Sequence, residues 1–149
     1  MSSSKLVEEA CRVHMDNARE LGRFAEGFIG RSEIRIVLLL GKRESACAVD
    51  IMDFFGLSAG RVSNLLKTLE KKGYITRNQI DHDRRRVNVA LTDNGKILAK
   101  ELDEDLHNVF SEFFDILGEE DARHFLAFEK KILNMINDGQ LVLTPPKKI

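Results

Sequence analysis

The chain has 149 residues, 43% of them apolar, enough for one hydrophobic core and too few for two independent ones, so one compact unit is expected. A formal net charge of −1 excludes a uniformly basic or acidic chain. Only Cys11 and Cys47 occur and no apolar run approaches the roughly 18 residues of a membrane span, so neither a disulfide scaffold nor membrane insertion is expected. The start lacks a signal-peptide pattern, which makes the cytoplasm the expected compartment.

The near-neutral total conceals a polarised chain. Between Ser58 and Arg86 eight basic residues face three acidic ones, whereas between Ile97 and Asn137 ten acidic residues face four basic ones.

In chain order, apolar residues at helical spacing (Leu6, Val7, Ala10, Val13, Leu21, Phe24, Ala25, Phe28) predict one long helix over residues 5–28. Ser32 is the expected N-cap of a short, nearly apolar and therefore central helix through Ile34, Ile36, Val37, Leu38, Leu39 and Leu40, ending near Gly41. Ala48 to Phe55 form a third helix closed by Gly56. Leu57 and Ser58 open a fourth, in which Val62, Leu65, Leu66 and Leu69 repeat at i, i+3, i+4 and i+7. Two short helices around a glycine turn are a helix-turn-helix candidate. The outward face of the second carries Ala59, Arg61, Ser63, Asn64, Lys67, Thr68 and Lys71, which is small, polar and basic.

Past Gly73, the stretches Tyr74 to Asn78 and Arg86 to Leu91 read as two strands around the charged turn Asp81-His82-Asp83-Arg84-Arg85. Helix-turn-helix followed by such a hairpin predicts a winged helix over residues 32–91. Thr92 caps a long helix to about Leu117, and Glu119 to Asn137 make a last one. Both carry apolar faces (Leu98, Leu102, Leu106, Val109, Phe113; Phe125, Phe128, Ile132, Met135). Residues 138–149, with Pro145 and Pro146, are expected to be a non-helical C-terminal tail. The fold class is thus mainly α with a small β-hairpin wing.

These segments resemble the MarR family of bacterial transcription regulators. The resemblance rests on Gly56-Leu57-Ser58, Leu69-Glu70-Lys71-Lys72-Gly73-Tyr74-Ile75, Asp83-Arg84-Arg85 and Leu91-Thr92-Asp93-Asn94-Gly95, about a third of the chain in the family's order and spacing. The family wing reads Asp-x-Arg-Asp-x-Arg. Here Asp83 and Arg85 supply its second half, while Ile80 and His82 stand where the first Asp and Arg would be. The resemblance implies a single unit over 1–149, with helices 5–28 and 97–137 interlocking two chains and a small phenolic or lipophilic effector bound between those helices and the DNA-binding lobe.

A charged helix face alone is as readily solvent-facing surface as a DNA contact. Three consecutive arginines, Arg84, Arg85 and Arg86, shift the balance, because they repel one another unless an anion meets them. The expected interface with double-stranded DNA includes Ser58 and places Ala59, Gly60, Arg61, Ser63, Asn64 and Lys67 at the major groove. Arg61 and Asn64 would read guanine and adenine edges. Lys67, Thr68, Lys71 and Arg77 would hold phosphates, and Arg84, Arg85 and Arg86 would reach the minor groove or its flanks, oriented by Asp83. Gly60 costs helix stability and lets the backbone approach DNA. The function expected is a ligand-responsive repressor binding a pseudo-palindromic operator as a homodimer.

Three alternatives remain open: a winged helix for protein contact without DNA, a redox-responsive regulator using Cys11 or Cys47, and a metal-responsive one using His107 with Asp103 and Glu104. No nucleophile elbow, glycine-rich phosphate loop or His–carboxylate constellation appears, so neither catalysis nor a cofactor or metal site is expected.

Overall fold

The computed structural model describes residues 3–79 and 87–142. Seven helices and three short strands are found there, in the order α1 (Ser3–Asp16), α2 (Ala18–Ile29), α3 (Ser32–Gly41), β1 (Ala46–Cys47), α4 (Ala48–Phe55), α5 (Ala59–Lys71), β2 (Ile75–Gln79), β3 (Val87–Leu91), α6 (Asp93–Leu117) and α7 (Glu119–Asn137). Contacts divide the chain into two compact units, Met1–Val109 and Phe110–Ile149.

In the first unit, α3, α4 and α5 pack with the small sheet around one core. Ile36, Val37 and Leu40 come from α3, Ile51 from α4, Val62, Leu66 and Leu69 from α5, Ile75 from β2 and Val89 from β3, each no more than 2% exposed. Burying each such side chain contributes roughly 1.5–3 kcal/mol, so this small cluster holds the helix-turn-helix and the hairpin together. The mostly helical architecture with a β wing is as expected from the sequence. The sheet has one strand more than expected: β1 pairs antiparallel with β3 (Ala46 opposite Val89, Cys47 opposite Asn88), giving the order β1-β3-β2. Two residues are too few to show an alternating pattern.

Two further details differ from the sequence reading. The helix expected over 5–28 is interrupted at Asn17 (φ −123°, ψ 22°), whose amide Nδ2 donates to the Val13 carbonyl at 2.9 Å beside the bond from its own backbone N–H at 3.1 Å. Arg31 occupies the N-cap position of α3, while Ser32 is already its first helical residue.

In the second unit α7 turns back at Gly118 against the end of α6, and Phe113 and Phe114 meet Phe125 at ring-centroid separations of 5.3 and 6.4 Å. Of the tail expected from residue 138, positions 143–149 lie outside the described residues.

Candidate nucleic-acid interface

The candidate interface is built on α5, and two glycines set its ends. At the end of α4, Gly56 takes the left-handed conformation (φ 61°, ψ 34°). Its N–H donates to Asp53 O and the N–H of Leu57 to Met52 O at 3.0 Å, closing the helix and reversing the chain into the turn. Ser58 follows in extended conformation, its Oγ accepting from Arg61 N at 3.4 Å, and starts α5. At the far end Gly73 (φ 76°) repeats the device, its N–H donating to Glu70 O and that of Tyr74 to Leu69 O. The chain passes at once into β2.

Between these stops α5 buries Val62, Leu66 and Leu69 and is forced to present its other side outward. Ser58, Ala59, Gly60, Arg61, Asn64, Lys67, Thr68 and Lys71 are exposed, with Ser63 half-buried. At 1.5 Å per residue the 13-residue helix is about 20 Å long, and its bare polar front suits a major groove about 12 Å wide. Arg61 extends a guanidinium nitrogen to Ser32 Oγ at 3.4 Å, which lays it across the start of α3. Thr68 spends its one hydroxyl proton on the Asn64 carbonyl at 3.0 Å, leaving none to donate to a phosphate. Lys67 and Lys71 have no ion-pair partner among the described residues.

The hairpin emerges beside α5 with Ile75 opposite Leu91, Arg77 opposite Val89 and Gln79 opposite Val87. Arg77 is not directed into solvent: its Nε donates to Glu70 Oε2 at 2.9 Å and Nη2 reaches the same oxygen. That hydrogen bond holds the Glu70 carboxyl below the ordinary glutamate range, partial desolvation opposes it, and the arginine's charge adds to the lowering. The connection 80–86, with Asp83, Arg84, Arg85 and Arg86, lies outside the described residues.

The wing is tied to α6 by a second knot. Thr92 Oγ1 donates to Gly73 O at 2.6 Å and accepts from Gly95 N at 3.0 Å, while Thr92 N donates to Tyr74 O at 3.0 Å. A cavity of about 500 Å³ lies beside it in the first unit, lined by Leu38, Leu40, Leu91 and Ala99 together with the charged side chains of Lys42, Arg43, Glu44, Lys96, Lys100 and Asp103.

The other sequence candidates are dispersed. Cys11 is exposed on α1, and Cys47 stands at the N-cap of α4 without a side-chain hydrogen bond to that helix. His107 Nδ1 is hydrogen-bonded to its own helix at the Asp103 carbonyl, 2.7 Å away. Among the described residues no three His, Cys, Asp or Glu side chains gather as a metal site, and no helix is long and apolar enough to cross a membrane.

A helix-turn-helix whose second helix is bared on one side and followed by a hairpin defines a winged helix-turn-helix protein. Residues 29–87, from the end of α2 to the first residue of β3, match the model of the MarR family. Uncharacterized HTH-type transcriptional regulator YwhA of Bacillus subtilis is 29% identical over 132 residues, spanning 88% of this chain and 84% of its own. Among solved structures, Streptococcus pneumoniae FabT in complex with DNA superposes with a TM-score of 0.65 at 19% identity, covering 91% of this chain and 99% of that one. NadR in complex with 4-hydroxyphenylacetate superposes at 0.57 with 22% identity, covering 90% of each. In the segment 29–87 the chain is similar to the MarR family of transcriptional regulators.

Proposed function

We propose that this regulator binds a pseudo-palindromic operator as a homodimer and that a small apolar, acidic molecule releases it, so that it acts as a cytoplasmic repressor. The carrying observation is α5: capped at Ser58, stopped at Gly73, buried behind at Val62, Leu66 and Leu69, and presenting Arg61, Asn64, Lys67 and Lys71 outward. Arg61 and Asn64 are the base readers in this proposal, with the carbonyl-bound Thr68 helping to fix the Asn64 turn. Lys67 and Lys71, with Arg84, Arg85 and Arg86 of the wing, hold phosphates or the flanking minor groove, and Asp83 orients the arginines.

The dimer is supported by what the single chain leaves uncovered. Residues 5–27 are exposed throughout α1 and α2, Leu6, Val7 and Val13 among them, and on α7 Phe128, Leu133 and Ile136 are at least 44% exposed. Apolar surface on that scale calls for a second copy. The effector seat is supported by the cavity, whose volume suits a small ligand and whose lining sets Leu38, Leu40 and Leu91 beside cations, Lys42, Arg43, Lys96 and Lys100, that suit a carboxylate.

The test is to select duplexes from a random-sequence pool and compare Arg61→Ala, Asn64→Ala and Arg85→Ala on the enriched and random sequences. The first two should cost about 1–3 kcal/mol on the enriched duplex alone. Arg85→Ala should weaken both duplexes alike and reduce the salt slope by about one. Unchanged affinity in all three variants refutes the interface.

A further inference from the structure

We propose that Glu70 and Arg77 form a strut that fixes the angle between the recognition helix α5 and the wing, so that Arg77 serves DNA binding as a positioning residue rather than as a phosphate contact. The proposal rests on the DNA-binding reading above, and it starts from register. Side chains alternate along a strand, so Arg77 shares the sheet face of Ile75, which is 2% exposed and faces the helices. Its stem therefore runs along the inner side of the hairpin, and its head emerges at the last turn of α5, where Glu70 stands.

Nε and Nη2 both bind Glu70 Oε2, and the side chains are only 28% and 39% exposed. Two donors on one carboxylate oxygen from a planar guanidinium fix direction as well as distance. The pair is also electrically closed. A phosphate approaching Arg77 meets the Glu70 carboxylate beside it, so the pair as a whole releases no counterion, unlike Lys67 or Lys71.

The need for a strut follows from the joint it spans. Only Lys72, Gly73 and Tyr74 separate α5 from β2, and Gly73 sits at φ 76° with nothing within 4 Å of the position of a Cβ, so no side chain braces the chain at Gly73 itself. The five residues of β2 extend about 17 Å, so a pivot of about 10° at Gly73 would carry the strand's far end some 3 Å, enough to break every hydrogen bond made beyond it. The Thr92 knot holds the base of the hairpin at Gly73 and Tyr74. Arg77 holds it three to four residues further out, where leverage is greater.

The experiment uses the full chain and a duplex enriched from a random-sequence pool, with anisotropy titrations over a range of salt for Glu70→Gln, Arg77→Gln, the double variant and the exchange Glu70→Arg with Arg77→Glu. Each single variant should bind about tenfold more weakly, and the double variant no more weakly than either single one. The exchange should recover most of the loss, and the salt slope should stay that of the wild type throughout. If Arg77→Gln lowers the slope by about one and Glu70→Gln tightens binding, Arg77 is a phosphate contact and the strut is wrong. Additive losses overturn it equally. A wild-type chain with no salt-dependent binding refutes the DNA reading instead. The strut is then judged by hydrogen exchange at the β2 and β3 amides, which must quicken in both single variants; unchanged exchange overturns it.

Discussion

Replacing Gly95 by alanine should destabilise the protein although alanine is the better helix former. Gly95 lies in the first turn of α6, and a Cβ there would stand 2.0 Å from the Tyr74 carbonyl oxygen, 3.0 Å from its carbon and 3.1 Å from Leu91 Cδ2. The first separation is about 1 Å shorter than real Cβ atoms show, and the obstacle is backbone, which cannot rotate away. Relief requires α6 to part from the Gly73–Tyr74 turn. That turn is held by the bonds from Thr92 N to Tyr74 O and from Thr92 Oγ1 to Gly73 O, with Gly95 N on Thr92 Oγ1. Overpacking costs roughly 1–3 kcal/mol and one broken bond in the knot another 1–3, against about 1 gained in helix propensity. The net expectation is a loss of about 3 kcal/mol, or roughly 6–12 °C in Tm for a chain of this size. Thermal and urea unfolding followed by circular dichroism, at one protein concentration for both proteins, measure it. A Gly95→Ala protein as stable as the wild type would refute the packing argument.

Gly60→Ala has the opposite sign, because nothing lies within 4 Å of its added Cβ: stability should rise by about 0.5–1 kcal/mol while affinity for the enriched duplex falls. Unchanged affinity would show that Gly60 does not admit the DNA backbone. For the Glu70–Arg77 pair, a lowered folded-state pKa means stability fully present above the ordinary glutamate value of about 4.3 and lost on acidification through the lowered value. The stability difference between wild type and Glu70→Gln should therefore be flat from pH 7 to about pH 5 and shrink steadily on further acidification; a difference that grows on acidification contradicts it. Sedimentation at micromolar concentration should give twice the 16.9 kDa chain mass, and a clean monomer would remove the palindrome argument.

What was legible in the sequence followed from local chemistry. Gly56 and Gly73 bracket α5 because each supplies the left-handed residue a helix stop requires, and Val62, Leu66 and Leu69 mark its buried side at helical spacing. The span Glu119–Asn137 of α7 was legible for the same reason, with a glycine before it and a continuous apolar stripe within. Features that depend on distant partners were not. The apolar spacing of α1 and α2 runs on past Asn17, where the backbone leaves the helical conformation (φ −123°, ψ 22°) without any break in that pattern. Ala46 and Cys47 become a strand only because β3 offers Asn88 and Val89 to pair with. Glu70 reads as one more charge on a helix end until Gly73 folds Arg77 back onto it. Gly95 stood in the motif that opens α6, but the Tyr74 carbonyl that demands a glycine there comes from another element.

The central claim is that the bare face of α5 and the basic wing bind duplex DNA. Fluorescence anisotropy with mixed-sequence duplex DNA at low and moderate salt tests it directly. Two copies, each bringing Lys67, Lys71 and the wing arginines to phosphates, should give an affinity that falls steeply and linearly in the logarithm of salt, by roughly 0.9 decade per phosphate contact for each decade of salt. An affinity that is absent, or indifferent to salt, would contradict the account and leave the winged helix as a surface for another protein.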